Sequence, residues 1–309
     1  MERAKVSGKE VVFLSGEGAS VLGYAVWYTF SRFTEHKDVV KEWFSKHGLA
    51  EFTPEDPHHP NVFKRICSEY KEKRIKSLGS TEVYLLVRPI DRAGRVRKLV
   101  MEKRSEGRRL SYEVVGEIAY DEGVVRYSTS DPDAEEVARE IAGRFEREKD
   151  CHTEETLRRA LLDIIERSGK VKLKPSGSVY FIPARDFHYI EKFARIVEEI
   201  RQRHPDNRTE IWFAPIMDTE QFRDMVKLKV EDTLQETLDA AIKRMVELSS
   251  DTVDERERER RLKEIAATVD NAAKVADRYS KMLRQSLNRT DRLLERARTI
   301  LEKLQRAAE

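Results

Sequence analysis

The chain has 309 residues, enough for two or three domains of ordinary size. Hydrophobic residues make up 39% of the chain and charged residues 38%, a balance typical of long helices with much solvated surface. The 59 Lys and Arg residues nearly cancel the 57 Asp and Glu residues. The resulting net charge of +2 neither requires nor excludes a nucleic-acid partner.

The two cysteines indicate a reducing compartment. Cys67 and Cys151 lie far apart in the chain and have neither metal-site nor disulfide spacing. The N-terminal residues contain no apolar core of signal-peptide length, and no apolar run reaches the length of a membrane span. We therefore expect a soluble protein that acts in the cytoplasm and does not engage a membrane.

The first third of the chain predicts an α+β domain over residues 1–130. Two apolar runs at residues 11–14 and 21–30 predict strands, and the second is so continuously apolar that we expect it at the centre of a sheet. Two helices follow, one from Thr34 to Gly48 and one over about residues 61–78. Four strand-like runs (82–90, 96–103, 110–120 and 124–128) are then separated by short Gly-containing turns. This spacing predicts an antiparallel meander.

Residues 131–217 predict a winged-helix-like unit. Apolar stripes indicate helices over about 131–149 and 153–168, and residues 170–182 form a hairpin with Pro175-Ser176-Gly177 as its turn. Two helices followed by a hairpin resemble the second half of a winged helix-turn-helix, a shape that serves both DNA binding and protein–protein contact. A further helix over 185–203 and a strand over 210–216 complete this segment.

Residues 218–309 predict a long antiparallel helical hairpin or coiled coil. The first arm runs from Thr219 to about Leu248 and the second from about Asp254 to Leu304, as one helix of some fifty residues, because no Pro or Gly occurs after Thr252. The second arm is longer, so its last part needs another apolar surface, on the same chain or on a second one. The side chains expected to make that oligomerisation contact are Leu283, Leu287, Leu293, Leu294, Ile300 and Leu304.

Basic residues concentrated between Lys64 and Arg109 suggest contacts with phosphates. In the winged-helix interpretation, cations of the 153–168 helix face a groove and alternating lysines of the hairpin meet the backbone. The alternative is that all of these are solvated charges that protect edge strands and loops. The candidate nucleic-acid-binding residues are Lys64, Arg65, Lys71, Arg74, Arg95, Arg97, Lys98, Arg108, Arg109, Arg158, Arg159, Lys170, Lys172 and Lys174.

No motif in the sequence supports an assignment as an enzyme. His58 and His59 lie in a Pro-rich acidic loop, but no second histidine or cysteine pair has metal-ligand spacing with them. Cys151 and His152 are adjacent, which does not by itself make a nucleophile and base. We therefore expect no cofactor, no metal and no catalytic residue.

Two short stretches resemble a family of uncharacterised proteins from prokaryotes and their viruses. Residues 62–68 (VFKRICS) are similar to a Phe-Arg-Arg-like helix that follows a proline-rich loop, and residues 175–183 (PSGSVYFIP) are similar to a Pro-Ser-Gly-Gly-Val-Tyr-Phe-like hairpin that precedes a helical C-terminus. Lys64 and Ser178 depart from that pattern. The resemblance implies the same order of elements and no assigned activity.

Two functional hypotheses lead, and an enzyme whose site is assembled from residues distant in the sequence is a third alternative. The first is a non-enzymatic nucleic-acid-binding protein that oligomerises or recruits a protein partner through its C-terminal coiled coil. The alternative is a scaffold protein that mediates protein–protein assembly without nucleic acid. Acidic residues interleaved with the basic ones, at Glu69, Glu72, Glu102 and Glu106, would favour the scaffold if they break up the basic surface.

Overall fold

The computed structural model describes residues 2–6, 9–13, 20–174, 177–250 and 254–306. Its strands are β1 (Glu2–Val6), β2 (Lys9–Phe13), β3 (Val21–Thr29), β4 (Thr34–His36), β5 (Lys73–Leu78), β6 (Thr81–Pro89), β7 (Val96–Ser105), β8 (Arg108–Asp121), β9 (Val124–Thr129), β10 (Cys151–Thr153), β11 (Val171–Lys172), β12 (Val179–Pro183) and β13 (Glu210–Met217). Its helices are α1 (Lys37–Lys46), α2 (His59–Glu69), α3 (Pro132–Glu148), α4 (Glu154–Arg167), α5 (His188–Arg203), α6 (Glu220–Ser250), α7 (Glu255–Leu283) and α8 (Asn288–Arg306). No helix among them combines the length and the apolar content that a membrane span requires.

The chain forms two compact units, one of which is discontinuous in sequence. The helical unit consists of Met1–Ser31 and Leu161–Glu309, and the meander unit consists of Arg32–Ala160. The sequence predicts consecutive segments at 1–130, 131–217 and 218–309. Strand β3 accounts for much of the difference, because it lies early in the chain but pairs with strands from its second half.

The helical unit contains an antiparallel sheet in the order β11-β12-β3-β13. The prediction that residues 21–30 form a central strand is confirmed: Trp27 of β3 lies between Val179 of β12 and Trp212 of β13. Gly23 interrupts the apolar run because the strands approach closely there. A Cβ at Gly23 would lie 2.4 Å from the Ile182 carbonyl oxygen.

The predicted hairpin at 170–182 is present as β11 and β12, but it is not a free wing. Its second strand pairs with β3 as well as with β11, so the hairpin forms one side of the four-stranded sheet. Gly177 has φ +97, as the predicted turn requires. The other two turn residues, Pro175 and Ser176, lie outside the described residues.

The three C-terminal helices pack on this sheet through one apolar cluster. The predicted apolar stripe of the second arm is buried from Leu262 to Leu283 along α7. Stripes of α6 and α8 join it, together with Leu22, Phe181 and Ile216 of the sheet. The predicted link between α6 and α7 falls partly on Asp251 and Thr252, which lie outside the described residues.

The prediction of one continuous helix from Asp254 to Leu304 is wrong. Helix α7 ends at Leu283, Arg284 takes a left-handed conformation with φ 54 and ψ 38, and α8 begins at Asn288. A left-handed residue costs about 1–2 kcal/mol, whereas each leucine that becomes buried contributes about 1.5–3 kcal/mol. The break lets α8 return along α6, where Leu294 and Leu304 are buried in the shared cluster.

The meander unit contains the predicted antiparallel meander, extended by one strand to the order β5-β6-β7-β8-β9. Helices α2 and α3 cover one face of this sheet through side chains such as Phe63 and Phe145. The prediction of a helix over 61–78 is wrong in its second half. Helix α2 ends at Glu69, and Lys73–Leu78 is a strand because β6 supplies a hydrogen-bonding partner that local helix propensity does not reveal.

Substitution of Arg284 by glycine tests the helix break. We expect R284G to raise the free energy of unfolding by about 1 kcal/mol, because glycine adopts the left-handed conformation without the penalty that a side chain carries. The matched control is R296G at an exposed position inside α8, which we expect to lower it by about 1 kcal/mol. Urea unfolding measures both, and equal destabilisation by the two substitutions would contradict the left-handed break.

Candidate functional site

A cleft of about 650 Å³ lies in the helical unit between the β11 hairpin, α6 and α7. Four lysines line it: Lys170, Lys172 and Lys174 from the hairpin and Lys229 from α6. The three hairpin lysines are the ones that the sequence predicted to meet a nucleic-acid backbone. The structure therefore brings this predicted group together at one concave surface.

Strand periodicity explains why the hairpin lysines share a side. They alternate with Val171, which is buried in the apolar cluster, and with Leu173, which packs against that cluster. Successive side chains of an extended segment point to opposite faces, so burial of the two apolar residues directs the three lysines away from the core. The residues that anchor the hairpin thus also orient its charges.

Tyr279 of α7 fixes the start of the hairpin. Its hydroxyl donates a hydrogen bond of 2.5 Å to the carbonyl oxygen of Gly169, the residue before Lys170. Tyr279 is fully buried, and burial raises the pKa of its hydroxyl above the ordinary value, so that it stays a neutral donor. Gly169 has φ +81, a conformation that favours glycine.

The charges in the cleft are mixed, and the hairpin lysines form no ion pair within the described part of the chain, although the Lys170 Nζ lies 5.9 Å from the centre of the Tyr180 ring. Asp232 lies 3.5 Å from the Lys229 Nζ and 3.2 Å from the Arg289 Nη1, so its charge is compensated. Within the described residues, no carboxylate lies within 4.0 Å of the Lys172 or Lys174 ammonium groups. Glu166 and Glu236 also line the cleft. The arrangement offers ammonium donors to an anion on the hairpin side.

Most of the other predicted nucleic-acid contacts are already paired with carboxylates. These pairs join Arg65 to Glu148 (2.8 Å), Arg74 to Glu82 (3.0 Å), Lys98 to Glu117 (2.7 Å), Arg109 to Glu102 (3.4 Å) and Arg159 to Glu155 (3.3 Å), and Arg158 also contacts Glu155. The sequence shows the cations but not these partners, two of which, Glu148 and Glu117, lie far from their arginine or lysine in the chain. A cation in such an ion pair gains less free energy from binding a phosphate, because it must first give up or share its carboxylate partner.

The remaining predicted cations differ in exposure. Arg97 is only 8% exposed, its guanidinium lies 6.0 Å from the centre of the Phe63 ring, and its Nε has no acceptor among the described residues. The other predicted cations without a carboxylate within 4.0 Å in the described part of the chain are Lys64, Lys71, Arg95 and Arg108. Three of the four interleaved acids, Glu69, Glu72 and Glu102, form ion pairs with arginines of the meander unit.

The side chains predicted for oligomerisation lie in the core of the helical unit. Leu283, Leu287, Leu294 and Leu304 are buried there, and Leu293 and Ile300 pack against the same cluster. Within the described chain, α6 already contacts this seam. Two polar residues, Ser286 and Thr290, interrupt the apolar stripe at the point where the chain passes from α7 to α8.

The histidines form no metal site among the described residues, where no group of three or more potential ligands is arranged to hold an ion. His58 and His59 line a shallow cleft of about 590 Å³ with Arg95 and Tyr120. Burial lowers the pKa of His152, which disfavours its charged form. Burial also raises the pKa of the Cys67 thiol to about 12, which makes it a poor nucleophile at neutral pH.

Substitution Y279F tests the anchor of the hairpin. We expect a loss of about 1–3 kcal/mol in the free energy of unfolding, because the buried Gly169 carbonyl loses its side-chain donor. Y112F removes a hydroxyl from an exposed tyrosine and should change stability by less than about 0.5 kcal/mol. Urea unfolding compares the two, and an effect of Y279F as small as that of Y112F would contradict the anchoring role.

One protein-family model covers nearly the whole chain, matching residues 21–309. No curated protein and no solved structure matches the chain. The match agrees with the resemblance to an uncharacterised family that residues 62–68 and 175–183 indicated. The chain belongs to DUF6744, a family of unknown function.

Proposed function

We propose that the protein is a non-enzymatic nucleic-acid-binding protein whose lysine-lined cleft contacts the phosphate backbone. One observation carries the proposal. Lys170, Lys172 and Lys174 share a concave surface with Lys229, while the described chain offers Lys172 and Lys174 no carboxylate partner. Ammonium groups without a carboxylate partner are suited to contacts with phosphates.

The predicted cations differ in the ion pairs that they must break before they can contact a phosphate. A lysine that contacts a phosphate releases a condensed counterion from the nucleic acid, which favours binding at low salt. The hairpin lysines gain this without breaking an ion pair among the described residues, whereas Arg65 and Arg74 would have to leave Glu148 and Glu82. The exposed Glu166 and Glu236 repel phosphate, so we place the contact on the hairpin side of the cleft.

The winged-helix and coiled-coil interpretations are not needed for this function. The winged-helix interpretation predicts that Arg158 and Arg159 face a groove of the nucleic acid. In the structure both contact Glu155. We therefore propose the hairpin, and not α4, as the contact. The coiled coil, the occurrence of the family in prokaryotes and their viruses, and action in the cytoplasm stay predictions.

A scaffold without nucleic-acid binding is the second candidate. The ion pairs of Arg65, Arg74, Lys98 and Arg109 favour it, since they break up the basic surface expected between Lys64 and Arg109. Such a scaffold would need an assembly surface other than the α8 seam, which α6 contacts within the chain.

The test neutralises the hairpin lysines. We expect the triple variant K170Q/K172Q/K174Q to bind labelled DNA or RNA more weakly and with a smaller salt dependence, the slope of log affinity against log salt falling by roughly 2–3. The matched control K243Q/K263Q/K281Q removes three exposed charges of α6 and α7 that lie near carboxylates one helical turn away. We expect it to bind as the unaltered protein does.

Fluorescence anisotropy over a salt series, with single- and double-stranded probes, measures these slopes. Absence of salt-sensitive binding by the unaltered protein at micromolar concentration would contradict the proposal and leave the scaffold. An equal loss of affinity in the two triple variants would show that only the net charge of the protein matters, and would contradict the proposal that the cleft makes the contact.

A further inference from the structure

Four apolar side chains form a row across the four-stranded sheet of the helical unit. The strand register places Trp27 of β3 between Val179 of β12 and Trp212 of β13. Leu173 continues the row beside Val179, because its backbone N–H donates a hydrogen bond of 3.0 Å to the Val179 carbonyl oxygen. Directly opposed residues of an antiparallel ladder carry their side chains on one face of the sheet. We call these four residues the tryptophan row.

The C-terminal helices pack on the part of this face that lies beside the tryptophan row. Val171 and Phe181 are buried there in the apolar cluster, and the Phe181 ring lies 6.2 Å from the ring of Tyr279 in α7. One row further along the sheet, Trp27 is 39% exposed and Trp212 is half-buried. Adjoining exposed apolar side chains of this size mark a place where a ligand or a partner binds.

A hydrogen bond to Glu210 orients the Trp212 indole. Its Nε1 donates to the Glu210 Oε2 over 3.0 Å. Glu210 lies two residues earlier on β13, so it shares the face of Trp212. Because Nε1 is the only polar group of an indole, the surface that Trp212 offers to a ligand is its flat apolar ring. A ring fixed in this way loses little conformational freedom on binding.

The hairpin lysines lie close to the tryptophan row. Lys172 and Lys174 flank Leu173 in the chain, and a single strand separates β11 from β3 in the sheet. Neighbouring strands lie about 4.8 Å apart, so the backbones of the hairpin lysines and of Trp27 are separated by about 10 Å. A stacked strand of nucleic acid carries one phosphate per about 3.4 Å, so about three nucleotides span that distance.

We propose that the tryptophan row stacks on the bases of a single-stranded nucleic acid whose phosphates contact the hairpin lysines. This inference rests on the proposed function and specifies its substrate as a single strand. Bases inside a duplex are stacked on one another and present only their edges. Unpaired bases can turn a ring face onto an indole, and every base has such a face, so we expect little sequence preference.

The charges around the tryptophan row favour a nucleic acid over an apolar protein partner. Within the described chain, Lys172 and Lys174 have no carboxylate within 4.0 Å, and an anionic strand supplies that charge while its bases cover the indoles. Glu210 lies on β13, on the side of Trp27 away from the hairpin. It repels phosphate there, which directs the phosphates to the hairpin and the bases to Trp27 and Trp212.

The first experiment compares a single-stranded oligothymidine of about 12 nucleotides with a blunt duplex of the same length. Fluorescence anisotropy on the full chain should show about tenfold tighter binding of the single strand. W27L keeps an apolar side chain but removes the ring, so it should weaken single-strand binding at least about fivefold without changing the salt slope. W27F, which keeps a ring, should retain most of the affinity. F222L, at a 36% exposed aromatic of α6, is the matched control and should bind as the unaltered protein does.

The lysine variant K170Q/K172Q/K174Q separates this inference from the proposed function. Salt-sensitive binding that the lysine variant weakens and W27L does not would overturn the tryptophan row and leave the cleft in place. Equal affinity for the single strand and the duplex would do the same. If neither probe bound in a salt-sensitive way, both proposals would be contradicted. Circular dichroism checks that W27L and F222L are folded.

The second experiment does not depend on a variant that loses affinity. The chain has three tryptophans, and the third, Trp43, is 5% exposed. A base stacked on an indole quenches its fluorescence, so oligothymidine should quench the emission of the unaltered protein. W27F/W212F should still bind the strand, by anisotropy, and lose the quenching. Unchanged emission of the unaltered protein at saturation, or equal quenching in W27F/W212F, would rule out stacking on Trp27 and Trp212.

Discussion

The burial of one apolar cluster determines the arrangement of the helical unit. Leu22, Phe181 and Ile216 of the sheet meet the stripes of α6, α7 and α8 in this cluster. Burial of apolar area is the main favourable term in folding and has no preferred direction. It therefore stabilises the chain arrangement that covers the apolar stripes of these helices most completely. The left-handed turn at Arg284 allows α8 to pack on this cluster, and the early strand β3 pairs with the strands that contribute to it.

The same cluster positions the candidate site. Val171 belongs to it, and Tyr279 joins it while donating its hydroxyl to Gly169. These two contacts hold the hairpin against the cluster and leave the alternating lysines at the cleft. Packing of the apolar residues thus determines where the lysines of the hairpin lie.

Local patterns in the sequence predict the helices and strands better than they predict which of these elements pack against or pair with one another. The Gly-containing turns predict the meander, and the continuous β-formers around Val26 predict a central strand, since both signals lie within about ten residues. The strands that flank β3 come from 150 or more residues later, and nothing near Val26 identifies them. The missed strand β5 and the missed break at Arg284 have the same origin, because tertiary partners decide both.

In the candidate site, too, the sequence predicts local features but not contacts between distant residues. Alternation in Lys170-Val171-Lys172-Leu173-Lys174 predicts that the lysines share a face, and in the structure all three line the cleft. The sequence also predicts a basic surface from Lys64 to Arg109, but it cannot show that Arg65 meets Glu148 or that Arg97 is buried. Counting cations therefore overstates a binding surface wherever carboxylates from other elements lie beside them.

Amine labelling of the full chain with and without nucleic acid tests the central claim most directly. Brief acetylation read by mass spectrometry reports the accessibility of each lysine separately. We expect added nucleic acid to protect Lys170, Lys172 and Lys174 severalfold and to leave the accessibility of Lys243, Lys263 and Lys281 unchanged. Protection of both sets alike, or of neither, would contradict it.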